Sequence, residues 1–133
     1  MQRTATTKSV VQKNGTLPQL QTNNVAVIRC EGEMGDMELA NIEEELFRLN
    51  SKGLNQVVLD LSKATHVDYR GLGGLARSAR SLRADGGDLK LVGLSNYVAT
   101  IFRAAGFENT FETFDCVEEA KKAFLCTLYC LRH

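Results

Sequence analysis

At 133 residues the chain is the size of one ordinary domain, long enough to build a core without disulfide or metal staples. Sixteen basic and sixteen acidic residues cancel, so the overall charge gives no basis for binding nucleic acid or an anionic membrane surface. No apolar run approaches the roughly 18 residues that span a bilayer, and MQRTATTKSVVQKNGT lacks the apolar block of a signal peptide; the expectation is a cytoplasmic protein with no membrane insertion.

Residues 1–16 are rich in Thr, Ser, Lys and Gln and read as a mobile arm or a loosely attached strand, ahead of a single domain over 17–133. LPQLQT (17–22) reads as a short edge strand and VAVIRCEG (25–32) as a stronger one, with Thr22, Asn23 and Asn24 as the hairpin turn between them. Asp36 is placed to cap a helix whose Leu39, Ile42, Leu46 and Leu49 form one apolar stripe, with Glu43, Glu44 and Glu45 on the solvated side. Gly53 ends it. QVVLDL (56–61) is then a nearly continuous apolar run of the kind found in strands covered on both faces.

HVDYRGLGGL (66–75) leads into a second helix, with Leu72, Leu75, Ala79 and Leu82 on one face and Gly86-Gly87 breaking it. DLKLVGL is a further core strand. Ser95 caps a short helix carrying Val98, Ile101, Phe102 and Ala105, which Gly106 closes, and TFETF (110–114) alternates like a last strand. Asp115 with Glu118 resembles a capping box, opening a final helix with Val117, Ala120, Phe124, Leu128 and Leu131 inward. The order β-β-α-β-α-β-α-β-α predicts an α/β fold: a mixed, mostly parallel sheet of about five strands with about four helices and an antiparallel start.

The chemistry of an enzyme is sparse. Cys30, Cys116, Cys126 and Cys130 have neither C-x-x-C nor zinc-ribbon spacing and read as free thiols. His66 and the terminal His133 are the only histidines; no acid or nucleophile is evidently arranged around His66, which reads as structural. No G-x-S-x-G or H-E-x-x-H occurs, and Gly71-Leu72-Gly73-Gly74 lacks the Lys-Ser/Thr of a P-loop. Those glycines read as devices for a tight turn and a close helix approach. The expectation is no catalysis, no cofactor and no metal.

VVLDLSKATHVDYRGLGGL, followed by LRADGGDLKLVGLSNYVATIFRAAGFENTFETFDCVEEA, resembles a stand-alone STAS domain of the bacterial anti-sigma factor antagonist type, over about residues 17–130. The resemblance rests on the strand-Asp-x-x-Gly-Leu-Gly turn, the Gly-Gly-x-Leu-x-Leu-Val-Gly-Leu strand, the Gly-Phe helix end and the Phe-Asp-x-x-Glu-Glu-Ala helix. It implies a regulatory protein that binds an anti-sigma factor, often a serine kinase of the histidine-kinase-like ATPase type, and thereby frees a sigma factor. It also implies a phosphoacceptor serine directly after the motif aspartate.

Here that phosphoacceptor-equivalent position is Tyr69, followed by Arg70. With Asp68 as N-cap, Tyr69, Arg70 and Gly71 fall in a first turn where unsatisfied N–H groups favour an anion, so Arg70 is a permanent cation costing about 0.3–1 kcal/mol against the helix dipole. Tyr69 and Arg70 either reach into solvent or form the contact patch, a role in which exposed Tyr and Arg are favoured. A second departure lies in Gly32-Glu33-Met34-Gly35-Asp36: the family's acid falls at Gly35, and Asp36 follows one residue late. The two altered loops should be neighbours at one sheet edge. The expected partner-binding set is therefore Asp36, Asp68, Tyr69, Arg70, Gly71 and Arg77, with Arg80 and Arg83 as a rim or a merely solvated face. Other assignments are a STAS-like subunit of a lipid-transport or sensory complex, or a small-ligand or nucleotide sensor built on the Asp36 and Asp68 loops.

Overall fold

In the computed structural model, which describes residues 6–13 and 24–131 and the side chains of 24–125, the described strands are β1 (Thr6–Lys13), β2 (Asn24–Met34), β3 (Gln56–Val67), β4 (Asp88–Val92) and β5 (Glu112–Phe114). They form one sheet in the order β1-β2-β3-β4-β5. β1 pairs antiparallel with β2, and each later neighbour pairs in parallel. The strand partnering β2 is thus Thr6–Lys13; the predicted edge strand over 17–22 and Asn23 of its turn lie outside the described residues, while Asn24, expected in that turn, opens β2.

The pleat sends alternate side chains to opposite faces, and two separate cores follow. Ala26 and Ile28 of β2, Val57 and Leu59 of β3 and Leu89 and Leu91 of β4 meet three helices: α1 (Asp36–Ser51), α2 (Leu72–Ala84) and α3 (Asn96–Ala104). Val25, Val27, Val58 and Val92 face the other way and meet Ala120 and Phe124 of α4 (Val117–Leu131). Leu39, Ile42, Leu46 and Leu49 are all buried, as are Leu72, Leu75, Ala79 and Leu82, so both predicted stripes face the core. The α3 stripe is narrower: Val98 and Phe102 are buried while Ile101 and Ala105 are half-covered. The side chains of Cys126, Leu128, Cys130 and Leu131 lie outside the described ones.

Three local readings change. The α1 N-cap is Gly35, with Asp36 already in the first turn; the Gly35 N–H donates to the Glu38 carboxylate at 3.1 Å, so the acid three residues on does the capping. α4 begins at Val117, with the Ala120 N–H donating to the Cys116 carbonyl at 3.3 Å, which puts Cys116 in the place predicted for Asp115. β3 runs on to Val67, because β2 stays beside it: Met34 is in register with Val67, whereas β4 stops opposite Asp60.

A lysine also lies in the core. Lys90 is 3% exposed, its ammonium paired with Glu112 across the β4–β5 ladder and with Asp88 at 3.3 Å, and seated 4.6 Å from the Phe124 ring centroid. The pairing and the ring face compensate a charge that burial alone would expel. Arg83 also has a structural part, donating to Asp88 Oδ1 and to the Thr110 carbonyl, both at 2.7 Å, while its side chain stays exposed. Glu43 is half-covered, its carboxylate lying over Gly74, so it departs from the solvated side expected of it.

Candidate docking edge

In parallel β-α units every helix starts where a strand ends, so the N-termini of α1, α2 and α3 gather along the carboxyl edge of the sheet. The loops predicted to be neighbours do meet there: the Asp68 N–H donates to the Met34 carbonyl at 2.9 Å, joining the ends of β2 and β3. Asp68 opens a single 3-10 turn, Tyr69–Gly71, which precedes α2 proper at Leu72.

Asp68 is committed to Arg70. Its Oδ1 accepts from the Arg70 backbone N–H at 3.0 Å and from Nε at 3.1 Å, and its Oδ2 accepts from Nη2 at 2.8 Å. The guanidinium therefore folds back as a two-pronged clasp over its own cap, a geometry that suits a planar fork and a carboxylate. Hydrogen bonding from the Arg70 side chain, then from its backbone, holds the Asp68 carboxyl down at about 2. Asp68, and more weakly the charge of Asp36, hold Arg70 all the more firmly protonated. The cation predicted to oppose the helix dipole is thus neutralised by the cap.

With the clasp turned inward, Tyr69 stands out at 64% exposed. Gly71 is buried beneath the turn: a Cβ there would lie 3.0 Å from the Leu39 Cβ and overlap the end of that side chain. Its role is to let α1 close on the turn, and it presents no surface of its own. Arg77 is exposed in the second turn of α2, on the flank of the edge.

Two further edge residues escaped the sequence reading. Met37 is 75% exposed and Tyr97 55%, and each follows a helix cap, Gly35 or Ser95, by two positions, as Tyr69 follows Asp68 by one. Neither carries a sequence signal of its own, since other apolar residues in first turns on this edge, Leu72 and Val98, are fully buried. The Tyr97 hydroxyl and His66 Nδ1 share a hydrogen bond of 2.8 Å with ring centroids 5.7 Å apart, so His66 ties the end of β3 to the start of α3. Glu33 and Asp36 add exposed carboxylates.

The arrangement offers contact area: three exposed apolar side chains, a preformed turn and an acidic margin. Among the described residues no helix is long and apolar enough to cross a membrane.

Comparison with known proteins gives a concordant result. The family model described as STAS domain matches residues 18–120. A protein of Bordetella bronchiseptica named "Putative anti-sigma factor antagonist BtrV" is 31% identical over 103 residues, covering 77% of this chain and 89% of its own. The structure of the anti-sigma factor antagonist SpoIIAA in its unphosphorylated form superposes with a TM-score of 0.66 at 19% identity, over 89% of this chain and 97% of that one. An anti-sigma factor antagonist from Mycobacterium paratuberculosis gives 0.69 at 18% identity, over 90% and 95%. At such identities the two structures speak to the fold.

Proposed function

For a chain that belongs to the STAS domain family, we propose the role of an antagonist that binds an anti-sigma factor or a partner-switching kinase through the carboxyl edge of its sheet. The observation that carries this reading is the turn at Asp68: the Asp68–Arg70 clasp fixes the backbone and presents Tyr69 outward, with Met37 and Tyr97 exposed in the first turns of α1 and α3. Tyrosine loses little side-chain freedom on docking and covers a large area, which makes it a favoured anchor.

The same turn departs from a serine-phosphorylation switch. Neither Tyr69 nor Arg70 offers an aliphatic hydroxyl, and the Asp68 carboxylate is already engaged. Binding is constitutive with respect to a serine kinase acting at this position, and control falls on the partner or on the amount of antagonist.

The test is capture from native cytoplasm on the immobilised protein, with and without Mg-ATP, followed by affinity measurement for the partner recovered. An anti-sigma factor or ATPase kinase, no phosphate on residues 68–71, and a loss of about 2 kcal/mol or more in Tyr69→Ala are the expected results. Recovery of a transporter or receptor complex instead, or full affinity in a folded Tyr69→Ala variant, refutes the reading.

A further inference from the structure

A second surface lies on the flank, where α1 and α2 run side by side in the same direction. Leu39 lies level with Gly71 and Glu43 with Gly74, and Asn50 Nδ2 donates to Asp85 Oδ2 at 2.8 Å near the far ends. Between them runs a shallow groove that includes Phe47, Ser78 and Ser81. Phe47 is 75% exposed, an aromatic ring left on a helix face that is otherwise polar.

The charges of this flank are unevenly used. Arg48 is held by Glu45, and Arg83 by Asp88. Glu44 on α1 and Arg77 and Arg80 on α2 are exposed and have no ion pair among the described residues. An unpaired acid on one helix and unpaired bases on its parallel neighbour make a face complementary to itself. A two-fold axis lying along the groove sets each α1 over the other copy's α2 at the same height. Glu44 then meets Arg77, and Phe47 enters the groove at Ser78 and Ser81, with Arg80 beside its ring.

We propose that this flank is a homodimer interface in which Phe47 is the anchor and Glu44–Arg77 the reciprocal ion pair. The zero formal net charge leaves little long-range repulsion between copies. Two helices about 20 Å long cover roughly 400 Å² per copy, about 800 Å² in total and less than a permanent complex buries, so the dimer is a weak and reversible one. The carboxyl edge remains open in such a dimer, so two docking edges are presented together.

Sedimentation velocity over a wide range of protein concentration tests this. The expected result is a reversible monomer–dimer equilibrium. Phe47→Ser should weaken it roughly tenfold or more, with unchanged circular dichroism, since the ring is exposed in the monomer. Glu44→Arg weakens it, and Glu44→Arg combined with Arg77→Glu restores it. A 14.7 kDa monomer at every concentration, or a dimer indifferent to both Phe47→Ser and Glu44→Arg, overturns the proposal.

Discussion

Gly71→Ala isolates what the turn asks of its glycine. The residue sits at φ −89°, ψ −4°, a conformation alanine adopts freely, so backbone strain contributes nothing. The added methyl meets Leu39, whose side chain is 1% exposed, and the 3.0 Å approach to the Leu39 Cβ is one no rotamer change can relieve. The start of α1 must move. Overpacking of this kind costs about 1–3 kcal/mol, and reduced freedom of the unfolded chain returns about 0.4–1 kcal/mol, leaving a net loss of roughly 1–2 kcal/mol. Urea unfolding followed by far-ultraviolet circular dichroism should show the midpoint falling with an unchanged slope. In a Leu39→Ala background the overlap with the end of the side chain is gone and only the 3.0 Å approach to the Cβ remains, so the same substitution should cost less, a coupling of about 0.5 kcal/mol or more. A Gly71→Ala variant as stable as the parent, or strict additivity with Leu39→Ala, would refute the close-approach argument.

Arg70→Gln removes the clasp, and the Asp68 carboxyl should rise from about 2 toward 3.8, its ordinary value, in a carboxyl-carbon NMR titration. The sign follows from linkage: a depressed carboxyl stabilises the fold above its unfolded value and loses that contribution as pH falls through the folded one. The parent should therefore keep the turn ordered further into acid than the variant, over the interval between those two values. Lys90→Ala should destabilise by about 1–3 kcal/mol in urea unfolding through lost packing on Phe124 and lost pairing, because Glu112 is exposed enough to recover water. Lys90→Met, which keeps the stem, should cost less, and the reverse ranking would contradict the packing account.

Periodicity was a reliable guide wherever one face of an element met a core. The α1 and α2 stripes and the buried run through Val57, Val58 and Leu59 follow directly from it. It failed where tertiary surroundings decide. Ser62–Lys63 looks like a strand end because β4 no longer covers that segment, yet β2 continues beside it. Lys90 in DLKLV has the pattern of a solvent residue, and only the carboxylates of Asp88 and Glu112 with the Phe124 ring make its burial tolerable. At the candidate site, Asp68 as a cap and Tyr69 as an exposed side chain were legible from the turn signature. The clasp was not, since nothing in the order Asp-Tyr-Arg says that the arginine folds backward. Met37 and Tyr97 were invisible for another reason: their exposure depends on which sheet edge the caps share.

The length of β3 beyond β4 carries a dynamic consequence. Past Asp60 the strand is laddered to β2 alone, and Leu61, Ala64 and Val67, with Met34 opposite, hold this extension by packing into the main core. The His66–Tyr97 hydrogen bond is the cross-tie that pins its tip to α3. The docking edge is thus mounted on an extension held by packing and one cross-tie, and a partner gripping Tyr69 and Tyr97 together would brace it from outside, coupling binding to local rigidity without any change in the core.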